Sequence, residues 1–131
     1  MIKILFIDDD TMTLRLMKKE AEILGHEPII CPDSSEVIQY IDNTNPDLIM
    51  VDINMQAMNG FQVVREIRNH DRNGSIPVLM LSAGDPDTEG KKALDAGANG
   101  FLMKPLTLNG MESAVKGFIN TGQRMSVNAC C

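Results

Sequence analysis

At 131 residues, 44% hydrophobic and 23% charged, the chain fits one domain with a core of ordinary size. A formal net charge of −6 argues against electrostatic binding to nucleic acid or to an anionic membrane. No apolar run approaches the roughly 18 residues of a spanning helix, and the apolar start is too short for a signal peptide, so a cytoplasmic location is expected. Ile2 to Ile7 reads as a strand and runs straight into Asp8-Asp9-Asp10. From Thr11 the apolar period becomes helical, with Leu14, Met17, Ala21 and Leu24 on one face. Arg15, Lys18, Lys19, Glu20 and Glu22 fall on the others, and Gly25 stops the helix. Glu27 to Cys31 is a second strand, and Pro32-Asp33-Ser34 caps a helix bearing Val37, Ile38 and Ile41.

Leu48 to Val51 is an uninterrupted apolar run, the mark of a strand buried on both faces, and it ends at Asp52. A turn-rich segment leads to a third helix carrying Phe61, Val64 and Ile67, closed by the polar run from Asn69 to Gly74. A fourth strand spans Ile76 to Leu81, with Ser82-Ala83-Gly84 at its exit. Asp85-Pro86-Asp87 opens a fourth helix, Pro being acceptable at the first helical position. That helix is weak, with Gly90 inside it and an apolar face of little more than Ala93 and Leu94. Phe101 to Met103 is a fifth strand, followed by Lys104-Pro105. Thr107 caps a last helix with Leu108, Met111, Val115 and Phe118 on one face, and residues 120–131 read as a mobile tail.

Five alternations of strand and helix with short connections imply right-handed crossovers and an α/β, doubly wound, five-stranded parallel sheet in a single domain. In the flavodoxin-like order 2-1-3-4-5, strands one, three, four and five are neighbours, and ligands bind at their carboxyl ends. Those exits carry Asp8 and Asp9, Asp52, Ser82 and Lys104. Two carboxylates about 4 Å apart repel by roughly 4 kcal/mol at an effective dielectric near 20, so three in one pocket need a cation. A hard ion such as Mg²⁺ takes carboxylates, waters and phosphate oxygens. An ammonium, a hydroxyl and a nucleophilic carboxylate beside it are the parts phosphoryl transfer requires. Singly, the acidic run reads as a helix cap, Ser82 as a turn residue and Lys104 as a surface lysine. Their joint placement at the exits of separate strands favours the site.

On Phe6-Ile7-Asp8-Asp9, Leu48 to Asp52, Asn54-Met55, Met58-Asn59-Gly60, Ser82-Ala83 and Lys104-Pro105, the chain resembles the receiver domain of two-component response regulators, of the stand-alone chemotaxis kind. The resemblance spans about residues 2–119. It implies that Asp52 accepts a phosphoryl group from the phosphohistidine of a histidine kinase or phosphotransfer protein. It implies that Asp9, Asp52 and the Asn54 carbonyl bind Mg²⁺ directly, with Asp8 acting through water. Lys104 would pair with Asp52 and then with the phosphoryl group, across a cis Lys104–Pro105 bond. Ser82 would move to the phosphoryl oxygen and Phe101 would rotate inward. The changed surface of the fourth helix, fifth strand and fifth helix would then meet a downstream protein target. Such a domain is a switch rather than an enzyme in the ordinary sense.

Two positions depart from the family pattern. Gln56-Ala57 stands where Pro-Gly is usual, and Phe101 replaces a frequent Tyr. A degenerate receiver, serving only as an interaction module, is one alternative. Another is a haloacid-dehalogenase-type phosphohydrolase with Asp8 as nucleophile and Asp10 as acid/base. Met12 stands where that family wants Thr or Val, and only Glu112 is acidic after Asp95. A flavin module would suffer repulsion between the acidic first loop and its phosphate. A calcium loop from Asp8 fails because Thr13 and Lys19 stand where Gly and Glu are needed. Cys31 reads as a core residue, and Cys130-Cys131 matches no zinc or disulfide spacing. His26 and His70 read as solvated or structural, and the ten methionines as core filler.

Overall fold

A computed structural model of the chain describes residues 1–70 and 75–121. In chain order the elements are β1 (Lys3–Ile7), α1 (Thr11–Ile23), β2 (Glu27–Cys31), α2 (Val37–Thr44), β3 (Leu48–Asp52), α3 (Gly60–Asn69), β4 (Val78–Ser82), α4 (Pro86–Ala96), β5 (Gly100–Met103) and α5 (Leu108–Thr121). The strands form one sheet in the order β2-β1-β3-β4-β5, every pairing parallel.

The strand alternation divides the core into two layers. Leu5, Ile7, Ile49, Val51, Val78 and Met80 face α2, α3 and α4. Ile4, Phe6, Leu48, Met50, Leu79 and Leu81 face α1 and α5. β3 and β4 are buried along their whole length, as continuous apolar runs require. Burying one such side chain stabilises the fold by about 2 kcal/mol, which is why the central strands hold their register firmly.

Several side chains lie elsewhere than their sequence pattern places them. β4 begins at Val78 and ends on Ser82, because Pro77 offers only its carbonyl, which accepts from the Ile49 N–H at 3.0 Å. Leu94 is 42% exposed, and α4 instead buries Gly90, Ala93 and Ala96. That face of small residues lets the helix lie close to the sheet. Leu108 is exposed at the start of α5, where Met111, Ala114 and Val115 form the buried stripe. Val63 joins Val64 and Ile67 beneath α3 while Phe61 is only half-buried. Glu20, expected on an outer face of α1, is buried, and its Oε1 has no hydrogen-bond partner among the described residues. Burial pushes its carboxyl above the usual range. The backbone of α5 continues to Thr121, past the expected start of the tail. The Phe118 side chain, Asn120 and Thr121 apart from their helical backbone, and residues 122–131 with Cys130 and Cys131, lie outside what is described, as do residues 71–74.

The expected caps are present. Asp10 opens α1, Asp33 opens a short 3₁₀ turn before α2, and Asp85 opens α4. Gly25 has φ +84°, the left-handed conformation that ends α1 at small cost. His26 Nδ1 accepts from the Ile2 N–H at 3.2 Å, and His70 lies 3.4 Å from Asp42, so both histidines serve the fold. Met17, Met50, Met80 and Met111 are core residues, but Met1, Met12 and Met103 are exposed, so the methionines are core filler only in part. Among the described residues no helix is long and apolar enough to cross a membrane.

Candidate functional site

The register brings the sequence-predicted residues to one edge. Ile7 pairs with Val51, Asp52 with Leu81, and Ser82 with Met103, so Asp8, Asp52, Ser82 and Lys104 emerge side by side. The Lys104 N–H donates to the Ser82 carbonyl at 2.8 Å and fixes the last step. The Lys104–Pro105 bond is cis, as the resemblance implies.

Asp52 is 4% exposed and Asp8 1%. The Lys104 ammonium lies 3.3 Å from Asp52 Oδ1 and 3.5 Å from Asp8 Oδ2. Burial pushes both carboxyls above the usual range; for Asp52 the neighbouring Asp8 charge adds to this, and Lys104 opposes it in both. Lys104 feels the reverse balance. Burial works against its charge, but Asp52 and Asp8 together outweigh it and hold its pKa above the ordinary lysine value.

Asp8 Oδ1 accepts from the Asp10 N–H at 2.9 Å, whereas Oδ2 is buried without a hydrogen bond. Asp9 is exposed, and its Oδ2 accepts from the Gln56 N–H at 2.9 Å. That bond needs the backbone N–H of residue 56, which the usual Pro lacks, so the departure from Pro-Gly gives the loop a tie to Asp9. One carboxylate oxygen from each of Asp8, Asp9 and Asp52 lies within 4.8 Å of the others. Three convergent carboxylates, two of them buried and sharing one ammonium, fit a hard divalent cation, since it relieves the repulsion among them. Asn54 is exposed in the loop beyond, and its N–H bonds the Asp52 carboxylate.

The loop after β3 is held from beneath. The Gly60 N–H donates to the Ile53 carbonyl at 2.8 Å, and a Cβ on Gly60 would overlap the Asp52 carbonyl. Only glycine admits that approach of helix to strand. Buried Ser34 donates to the Met58 carbonyl at 3.1 Å and pins the same loop from the β2 side. Asp10 takes no part in the cleft. Its carboxylate accepts from the Met12 N–H at 3.1 Å and from Thr13 Oγ1 at 2.7 Å, as a helix cap does.

Ser82 is fully buried, and its hydroxyl donates to Glu89 Oε1 of α4 at 2.9 Å while accepting from the Gly84 N–H at 3.0 Å. The sequence reading missed Glu89. An acidic residue in the first turn of a helix ordinarily reads as complementing the helix dipole. Phe101 packs over Gly90, where a Cβ would overlap its ring.

Comparison with known proteins agrees with this fold. The family model of the response regulator receiver domain matches residues 4–116. The chain is 31% identical over 107 residues to the response regulator MprA of Mycobacterium sp. (strain KMS), covering 82% of this chain and 46% of that protein. It is 32% identical over 117 residues to the transcriptional regulatory protein PrrA of Mycobacterium leprae, covering 89% of this chain and 49% of that protein. The chain thus spans about half the length of these curated relatives. The structure of the chemotaxis protein CheY4 of Vibrio cholerae superposes with a TM-score of 0.83 at 25% identity, covering 88% of this chain and 97% of that one. The chain belongs to the response regulator receiver domain family of two-component signalling.

Proposed function

We propose that Asp52 is the phosphoacceptor of this receiver and that its modification changes which protein the domain binds. The observation that carries the reading is the buried Asp52 carboxylate, 3.3 Å from the Lys104 ammonium and grouped with Asp8 and Asp9. An Asp52 oxygen attacks phosphorus, the bond from phosphorus to the donor's imidazole nitrogen breaks, and the imidazole leaves with that electron pair. The burial that raises the Asp52 pKa also strips water from the carboxylate, which strengthens it as a nucleophile. Lys104 meets the negative charge carried by the incoming oxygens.

Asp8, Asp9 and Asp52 would hold Mg²⁺, with the Asn54 carbonyl as the resemblance implies. Bound there, the ion would neutralise charge on the phosphoryl oxygens. Ser82 supplies a hydroxyl for one of those oxygens, and Phe101 responds at the α4–β5 surface. The donor is a histidine kinase or phosphotransfer protein, the output a contact with a downstream protein, and the setting cytoplasmic. With Asp52, Lys104 and Ser82 together at one edge, nothing favours the interaction-module alternative. Asp10, occupied as a helix cap, leaves the hydrolase alternative without its acid/base.

Acetyl phosphate with Mg²⁺ is expected to add one phosphoryl group by intact mass, and Asp52→Asn to abolish the addition. Full modification of the Asp52→Asn protein would refute the assignment.

A further inference from the structure

We infer that Glu89 is a positioning residue that withholds the Ser82 hydroxyl from the phosphorylation cleft until Asp52 is modified. The inference rests on the phosphoacceptor reading above and adds a residue that reading does not use. A hydroxyl has one proton to give. That of Ser82 goes to Glu89 Oε1 at 2.9 Å, while the Gly84 N–H at 3.0 Å fixes the oxygen from the other side. The Ser82 side chain is fully buried, so no bulk water competes for that proton. A phosphoryl oxygen on Asp52 gains the Ser82 proton only if Glu89 gives it up.

The latch sits where its release is felt. Glu89 lies in the first turn of α4, and the next residue, Gly90, is the seat of the Phe101 ring. The Glu89 side chain also lies across Gly84, where a Cβ would come within 2.8 Å of Oε1. One carboxylate therefore spans the loop between β4 and α4. When the hydroxyl turns to the phosphoryl group, Glu89 loses its donor while negative charge is added nearby. Both effects drive the first turn of α4 outward, off the Phe101 ring. The other end of α4 stays anchored: Arg68 Nε donates to the Gly97 carbonyl at 2.8 Å and its guanidinium reaches Asn99 Oδ1 at 2.8 Å. A helix held at its C-terminal end and latched at its N-terminal end pivots when the latch opens.

The test is a cycle of four proteins: the unmodified chain, Glu89→Ala, Ser82→Ala and the double variant. Each is titrated with fluoroberyllate, a phosphoryl mimic, in Mg²⁺, and the apparent dissociation constant is read. A charged hydrogen bond at the weaker end of its range corresponds to about tenfold, so Glu89→Ala should tighten binding about tenfold in the Ser82 background. In the Ser82→Ala background the same change should tighten binding clearly less, by relief of charge repulsion alone. Equal tightening in both backgrounds would show that Glu89 acts by charge repulsion alone and would overturn the latch. So would no tightening in the Ser82 background. Glu89→Asp keeps the charge but is one methylene short of Ser82. It should behave as Glu89→Ala does, and binding like that of the unmodified chain would count against the latch. If the unmodified chain bound no fluoroberyllate and took no phosphoryl group from acetyl phosphate, the phosphoacceptor reading would fall and the latch with it. That result differs from a chain that binds but shows no dependence on Glu89.

Discussion

Asp52 and Asp8 share one ammonium between two buried carboxylates, and that shortage shapes their behaviour. Both carboxyls lie above their ordinary value of 3.8, chiefly through burial. A carboxyl with a raised folded pKa binds its proton more tightly in the folded state, so it weakens the fold as pH rises through the window above 3.8. Asp52→Asn removes that liability. In the absence of metal it should raise stability at neutral pH, with the gain shrinking as pH falls towards the ordinary carboxylate value. Urea unfolding across that range checks it; a gain independent of pH would contradict the electrostatic origin. Lys104→Ala acts in the opposite sense by leaving both carboxylates unpaired. Because Lys104 is one-quarter exposed, the cost should be about 1–2 kcal/mol, below that of a fully buried pair, and it should fade on acidification. Asp8, Asp9, Asp52 and Lys104 were legible in the sequence because each stands within two residues of the end of an apolar run, and strand ends of a parallel sheet converge. Glu89 was not, since its role depends on how α4 leans over Gly84.

At the scale of elements, the periodicities of α1, α2 and α3 were readable because each carries a stripe of large apolar residues. α4 was misread at Leu94 for the lack of one: its buried face is Gly90, Ala93 and Ala96, and small residues give little signal. The clamp that seats the end of α4 was equally invisible. Arg68 looks like a helix-end cation, yet it donates to the carbonyls of Gly97 and Ile76 and to Asn99 Oδ1, while Asn99 Oδ1 also accepts from the Val78 N–H. These partners come from two segments, residues 76–78 and 97–99, which no spacing rule connects to Arg68. Arg68→Ala should cost about 1–2 kcal/mol, because half-buried carbonyls lose charged donors. Amide exchange should show the loss concentrated at the α4–β5 turn. Uniform acceleration along the sheet would contradict a local clamp. Gly60→Ala should be costlier than its exposed-helix value of about 1 kcal/mol in the favourable direction would suggest. A Cβ there meets the Asp52 backbone, which cannot yield without moving the acceptor. The variant should therefore lose both stability and phosphorylation rate.

For the whole molecule, the sheet order and the site edge followed from strand count, short connections and polar exits. The second layer of detail did not. The buried Glu20 and the loop pinned by Ser34 depend on neighbours far away in sequence. The three carboxylates gathered at one edge form an acidic pocket compatible with a divalent cation. Mg²⁺ at about ten times its dissociation constant should add about 1.4 kcal/mol and raise the melting temperature by a few degrees. Asp9→Asn should reduce that shift, and an equal shift in the variant would contradict the assigned ligands. The most direct measurement locates the phosphoryl group itself. After reaction with acetyl phosphate and Mg²⁺, borohydride reduces an aspartyl phosphate to homoserine, and peptide mapping by mass spectrometry finds the converted residue. The account predicts homoserine at position 52 alone; conversion at Asp8 or Asp9, or at no aspartate, would contradict it.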